Sequence, residues 1–162
     1  MQTRIDFLRT SPKAVSAMQA LQKYVNQSGL EHSLLHLVKF RASQLNGCGY
    51  CLDMHSKDAL AEGENAQRLF LLGAWRETSL FSARERAALA WTEAVTLLTD
   101  QDVPDAVFAL AREQFSETEL VDLTLAVIAI NGWNRLCVSF RPEVGNYRVA
   151  QHEAPRAEAA AT

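Results

Sequence analysis

The chain has 162 residues, of which 48% are hydrophobic, and it carries 16 Lys and Arg against 19 Asp and Glu. This length suits one domain that buries about two-thirds of its unfolded surface, and mixed charges with a net of −3 exclude the basic surface of a nucleic-acid-binding protein. The start of the chain has no apolar signal segment, and apolar runs such as residues 125–130 are too short to span a bilayer. We therefore expect a cytoplasmic protein with no nucleic-acid or membrane partner.

Helix signals follow one another along the chain, and no stretch alternates with the period of a strand. Two Ser-x-x-Glu capping boxes stand out, one at Ser82 and Glu85 and the other at Ser116 and Glu119. The predicted helices cover about residues 12–28, 33–45, 49–62, 64–75, 83–99, a shorter segment opened by Pro104, and 117–131. The sequence predicts an all-α domain of about seven or eight helices over residues 1–149, followed by a flexible tail over 150–162.

The stretch NGCGYCLDMH, residues 46–55, contains two of the three cysteines. Asn46-Gly47 predicts the end of one helix, so that the next helix begins at Cys48 with its free N–H groups and positive dipole end beside the sulfurs. Such surroundings lower a cysteine pKa from about 8.5 toward roughly 3.5 to 7.5. Cys48 and Cys51 lie one turn apart and can close a disulfide, and His55 shares a helix face with Cys51. We expect Cys51 to attack an oxidant and Cys48 to resolve the product.

Two other interpretations of these residues remain open. Cys48, Cys51, His55 and the more distant His36 could supply a Cys2His2 zinc set, although the spacing of His36 fits that site poorly. The pair could also serve a thiol-disulfide adaptor or redox sensor with little turnover. Cys137 stands alone in an apolar segment, which predicts an inert buried thiol.

Residues 37–59, LVKFRASQLNGCGYCLDMHSKDA, resemble the core motif of the carboxymuconolactone decarboxylase and alkylhydroperoxidase D (AhpD-like) family, and residues 68–96 and 127–136 also look like its members. The resemblance implies an all-helical homo-oligomer, commonly a trimer or hexamer, and a peroxidase in which Cys51 is oxidised, Cys48 resolves and His55 relays protons. It implies no bound cofactor or metal, and an external dithiol reductant such as a lipoyl-bearing protein. The decarboxylase branch generally lacks the cysteine pair, so the peroxidase branch is favoured.

One position departs from this family pattern. Twelve residues before the first cysteine the family usually carries a glutamate, whereas the segment LLHLVKFR presents His36 here. A histidine with a pKa near 6.5 can still accept a proton, but it changes the charge of a relay built for a glutamate with a pKa near 4.3. We therefore expect His36 to complete a relay of His36, His55 and Cys51.

Overall fold

The computed structural model describes residues 2–149, which form eight α-helices and one 3-10 helix, with no strand in that part of the chain. This confirms the all-α prediction and its helix count, while the predicted tail over 150–162 lies outside the described residues. The α-helices are α1 (Phe7–Thr10), α2 (Pro12–Asn26), α3 (His32–Leu45), α4 (Gly49–Ala61), α5 (Ala66–Leu71), α6 (Ala83–Thr96), α7 (Asp105–Gln114) and α8 (Glu117–Phe140). A 3-10 helix, Leu72–Glu77, follows α5 directly.

Both predicted capping boxes are formed, at the starts of α6 and α8. The Ser82 hydroxyl accepts a hydrogen bond from the backbone N–H of Glu85 at 3.2 Å, and the Glu85 carboxylate accepts one from the backbone N–H of Ser82 at 2.7 Å. Ser116 and Glu119 make the same exchange at 3.2 and 2.8 Å. Each box satisfies two backbone donors that a helix start leaves free, which explains why both helices begin where the sequence predicts.

Helix α3 lies at the centre of the fold, packed against α4, α6 and α8, and α2 lies along α8. The core between these helices is built mainly of aliphatic side chains, with a few aromatic ones. Its completely buried members include Leu37, Val38, Leu89, Leu123 and Val127. Because α3 leads directly into the turn before α4, its burial fixes the place where the cysteine segment starts.

Helix α8 is longer than the sequence predicts. It continues through Asn131-Gly132 to Phe140, so the predicted end at residue 131 is wrong. A side chain at Gly132 would place its Cβ 2.7 Å from the Met18 Cε, which shows that this glycine serves the close crossing of α2 over α8 and not a helix stop. By length and composition alone, helix α8 is apolar and long enough to cross a membrane, but 44% of its most apolar part is buried inside the fold, and core helices of soluble proteins pass the same test.

A buried amide network ties α8 to the turn before α4. The Asn46 side-chain amide donates hydrogen bonds to Asn131 Oδ1 at 3.0 Å and to Asn134 Oδ1 at 2.9 Å, and Asn134 donates to the Ser43 hydroxyl at 3.0 Å. Gly47 then takes the left-handed conformation with φ of +63°. Buried polar groups of this kind hold one geometry because any shift leaves them unpaired. The network therefore sets the position of the next residue, Cys48.

Candidate redox site

Cys48 and Cys51 are joined by a disulfide at the start of α4, with their Cα atoms 5.4 Å apart. Cys48 is the N-cap residue of the helix, and its sulfur accepts a hydrogen bond from the backbone N–H of Cys51 at 3.3 Å. Both residues are only 1% exposed. The structure thus places the pair at a helix N-terminus, one turn apart, as the sequence predicts.

His55 lies one turn further along α4 and is buried, with its Nδ1 4.0 Å from the Asp58 Oδ2. The pKa of His55 is lowered from 6.5 to about 3, chiefly by burial and in addition by the nearby Lys39 and His36. Desolvation penalises the charged imidazolium, and a neighbouring cation adds to that penalty. His55 is consequently neutral at physiological pH and presents a lone pair and one N–H to the site.

His36 is buried on α3, and its Nε2 lies 3.0 Å from the Glu62 Oε2 at the end of α4. Glu62 also lies 3.7 Å from the Nδ1 of His32, whose side chain is 64% exposed. A carboxylate therefore stands beside the histidine that replaces the family's usual glutamate. Spacing in the sequence could not reveal Glu62, because it reaches His36 from another helix.

Of the two cations that precede the motif, Lys39 faces the site and Arg41 does not. The Lys39 ammonium donates to the Asn26 Oδ1 at 3.1 Å, and burial lowers the pKa of Lys39, partly offset by the carboxylates of Asp58 and Glu62. Arg41 instead pairs with Glu93 at 2.7 Å. Lys39 thus lines the same cavity as His55, and its positive charge acts on that histidine.

Two cavities adjoin the cysteine segment. The larger, about 810 Å³, reaches Cys48, and the smaller, about 300 Å³, is lined by two histidines, a lysine and an aspartate, namely His36, His55, Lys39 and Asp58. Three residues line both cavities, namely Tyr50, Cys137 and Pro142. Cys51 lines neither of them. In the disulfide form, a molecule in the larger cavity therefore reaches Cys48 and not Cys51.

Cys137 on α8 is buried and unpaired in disulfides, as predicted, but it does not stand alone. Its sulfur lies within 4.8 Å of those of Cys48 and Cys51. This is the one group of potential metal ligands that the described residues 2–149 bring together, so the alternative Cys2His2 zinc set, which needs His36 and His55, is not assembled there. The sequence did not predict that Cys137 lies near the pair, because Cys137 belongs to the part of α8 beyond Gly132, where the sequence predicts no helix.

The segment after α8 covers the outer face of α4. The backbone N–H of Gly145 donates to the Asp53 Oδ2 at 3.1 Å, and the Lys57 ammonium donates to the carbonyl oxygens of Gly145 and Tyr147 at 3.3 and 3.2 Å. The Tyr147 hydroxyl donates to the Asp58 Oδ1 at 2.7 Å. These bonds fix the segment that brings Pro142 to both cavities.

The helical fold and the buried Cys-x-x-Cys pair at a helix start define a protein of the AhpD-like class. The chain belongs to the carboxymuconolactone decarboxylase family, whose model matches residues 12–94. It is 38% identical over 139 residues to the uncharacterized protein YdfG of Bacillus subtilis, covering 86% of this chain and 95% of that protein. The uncharacterized protein YnjA of Escherichia coli is 30% identical over 101 residues, covering 62% of this chain and 55% of that protein.

Solved structures agree with this assignment. A crystal structure of an Agrobacterium tumefaciens protein of unknown function, described as a candidate antioxidant defence protein AhpD, superposes with a TM-score of 0.87 at 44% identity, covering 89% of this chain and 99% of that one. The debrominase Bmp8 superposes with a TM-score of 0.76 at 18% identity, covering 86% of this chain and 75% of that one, which shows a shared fold. Together with the family match, these relatives place the chain in the AhpD-like fold.

Proposed function

We propose that the protein is a thiol-dependent peroxidase that reduces hydrogen peroxide or organic hydroperoxides through a Cys48/Cys51 dithiol-disulfide cycle. The observation that carries the proposal is the buried Cys48–Cys51 pair at the N-terminus of α4, where Cys48 borders the larger cavity and His55, one turn beyond Cys51, lines the smaller one. The helix dipole and the backbone N–H groups there favour a thiolate, which is the form that attacks a peroxide. The fold, the family and the AhpD-like relative are consistent with this chemistry.

The proposed cycle begins with the reduced pair. The Cys51 thiolate attacks one peroxide oxygen, the O–O bond breaks, and the leaving alkoxide or hydroxide takes up a proton to give an alcohol or water. The resulting sulfenic acid on Cys51 is attacked by Cys48, which forms the S–S bond and releases the hydroxyl as water. An external dithiol then reduces the pair and is itself oxidised to a disulfide.

We further propose that protons reach the site through His55, His36 and Glu62. The two histidines line the same cavity, and Glu62, whose side chain is 42% exposed, connects His36 to the surface. A neutral imidazole can accept a proton on one nitrogen and donate one from the other, which suits a relay between buried and exposed groups. Glu62 would then supply the carboxylate that this family usually places at the position of His36.

The external reductant is proposed to enter by the larger cavity, and a small dithiol or a lipoyl group on a partner protein fits this role. Cys48 borders that cavity and Cys51 does not. A thiolate from the reductant would attack Cys48 and expel the Cys51 thiolate, which is the nucleophile needed for the next peroxide. The direction of attack thus returns the predicted peroxidatic cysteine to its active form.

We also propose that the chain acts as a homo-oligomer, a trimer or a hexamer. Val121 and Ile128, seven residues apart on one face of α8, are 61% and 49% exposed. An apolar helix face of this kind is typical of a contact between subunits. Light scattering behind size-exclusion chromatography should give three or six times the 18.0 kDa chain mass, and Val121→Asp with Ile128→Asp should reduce it. A monomeric wild-type protein would contradict this assembly.

The peroxidase proposal is tested by following peroxide loss with dithiothreitol as the reductant, in the wild type and in Cys51→Ser and Cys48→Ser. We expect the wild type to turn over and Cys51→Ser to be inactive. Cys48→Ser, treated with peroxide in the absence of dithiothreitol, should form a sulfenic acid that a dimedone probe traps. Circular dichroism of each variant controls for folding. Equal rates of peroxide loss in all three proteins would refute the proposal. Rapid exchange with dithiols but no peroxide loss above background would indicate a redox adaptor instead.

A further inference from the structure

All three cysteines of the chain meet at one point of the fold. Cys48 and Cys51 start α4, and Cys137 lies near the end of α8, with the three sulfurs within 4.8 Å of one another. All three residues are buried, at 1%, 1% and 6% exposure. A disulfide occupies two of the sulfurs, and the third remains a thiol within reach of both.

The two cavities determine which sulfur of the pair Cys137 can attack. Cys137 and Cys48 line the larger cavity together, whereas Cys51 lines neither cavity. Thiol-disulfide exchange needs the attacking sulfur to approach one sulfur of the bond while the other leaves. The space beside Cys48 allows Cys137 to approach that sulfur, and Cys51 is then the leaving group.

We propose that Cys137 is a third redox thiol of the site, which attacks Cys48 in the oxidised protein, forms a Cys48–Cys137 disulfide and releases Cys51. One S–S bond breaks and another forms, so no oxidant or reductant is consumed. The proton lost by Cys137 is taken up by the released Cys51. The inference rests on the proposed function only in requiring that the pair cycles between dithiol and disulfide.

The environment of Cys137 makes this exchange slow at neutral pH. Burial raises the pKa of the Cys137 thiol to about 11. At pH 7 roughly one molecule in ten thousand then carries the thiolate, and this fraction rises about tenfold for each pH unit. Cys137 is therefore a reserve thiol: it competes with the external dithiol for Cys48 and prevails only when that dithiol is scarce.

The exchange can be tested without peroxide, using the azo oxidant diamide, which takes two electrons and two protons from a pair of thiols. Reduced Cys51→Ser is oxidised with one equivalent of diamide, alkylated and mapped by mass spectrometry. We expect an intramolecular Cys48–Cys137 disulfide as the main product, forming about tenfold faster per pH unit between pH 7 and 9. The double variant Cys51→Ser with Cys137→Ala should instead give intermolecular disulfides or unreacted Cys48.

Cys48→Ser, treated in the same way, is the matched comparison. An equal or greater yield of a Cys51–Cys137 disulfide there would overturn the assignment of Cys48 as the target. Absence of any Cys137 linkage in both single variants would overturn the proposal altogether. In the oxidised wild type at pH 9, iodoacetamide should label Cys51 as well as Cys137, and labelling of Cys137 alone would also count against exchange. Because none of these steps uses peroxide, their failure is distinguishable from failure of the peroxidase assay.

Discussion

Two clusters of buried charged side chains differ in how well their charges are compensated. In the first, which we call the Glu93 cluster, the Glu93 carboxylate accepts hydrogen bonds from Arg41 at 2.7 Å, from the Trp75 indole at 2.9 Å and from Arg76 at 2.6 Å. Burial opposes the ionisation of Glu93, but these three donors outweigh it and hold its pKa below the usual value. Every charge in this cluster faces an opposite charge or a donor.

The second cluster is the cysteine site, made of Cys48, Cys51, His55, His36 and Lys39. Burial here is not compensated in the same way, because it lowers the pKa values of both His55 and Lys39. The only described carboxylate at salt-bridge distance from His55 is that of Asp58, and it lies 4.0 Å away. Open cavities adjoin the site, whereas the residues of the Glu93 cluster line none of the cavities described above.

The difference separates a structural cluster from a reactive one. Where each buried charge is paired with an opposite charge, protonating one partner destabilises the fold and leaves no group free to react with a substrate. Where polar groups are buried with few partners beside a cavity, their pKa values are displaced and their hydrogen-bonding capacity remains available to a substrate. Four comparisons between variants test whether the two clusters differ in this way.

The largest expected effect is on the pH dependence of stability, through His55. Its pKa is lowered to about 3 in the fold, against 6.5 for an ordinary histidine. The unfolded chain therefore binds a proton as pH falls below about 6.5, and the folded chain does not until about 3, so acid favours unfolding. At about 1.4 kcal/mol per pH unit the loss reaches about 5 kcal/mol by pH 3. Urea titrations should show that His55→Gln removes this loss.

The matched control for that measurement is His32→Gln, because the His32 side chain is 64% exposed. It should keep the wild-type dependence of the free energy of unfolding between pH 6.5 and 3. A His55→Gln profile parallel to that of the wild type would show that His55 titrates normally, and the contrast between the two regions would then disappear.

The sequence predicts the site's local geometry better than its surroundings. Asn46-Gly47, the helix start at Cys48 and the position of His55 on the same helix follow from turn chemistry and the 3.6-residue period, which act over a few residues. The proximity of Cys137 and Glu62 does not follow from local spacing, because the packing of whole helices brings these two residues to the site. The neutral state of His55 depends on burial, which no spacing reports. Whether Cys51, Cys48, His55 and His36 have the predicted roles stays a prediction.

The Glu93 cluster should show the next largest effect, on stability alone. Glu93→Ala leaves the partly buried Arg41 guanidinium without its carboxylate, and removing one member of a buried ion pair costs about 3 kcal/mol. Urea unfolding at pH 7 measures this loss. Glu117→Ala, which breaks an exposed pair with Arg112 at 3.4 Å, should cost less than about 1 kcal/mol. Similar costs for the two variants would contradict the description of Glu93 as a saturated buried charge.

Lys39→Met makes the corresponding change in the cysteine site, with a different expected result. Because burial already disfavours the Lys39 charge, we expect the free energy of unfolding to change by less than about 1 kcal/mol. The pKa of His55 should instead rise, since the positive charge of Lys39 lowers it. NMR titration of the His55 ring reports this directly, and an unchanged titration would show that Lys39 does not act on the site.

The smallest expected effect compares two glycines, one beside each region. Gly47 precedes Cys48 and has φ of +63°, with nothing within 4 Å of an added Cβ, whereas Gly73 lies beside Arg41 with its nearest neighbour 3.8 Å away. Space is therefore available at both positions, and only Gly47 requires the left-handed conformation. We expect Gly47→Ala to cost about 1 kcal/mol and Gly73→Ala to cost close to nothing. Gly47→Asn should recover part of the loss, because asparagine tolerates this conformation. If alanine were equally neutral at both positions, the turn that presents Cys48 would not depend on the backbone strain assigned to it.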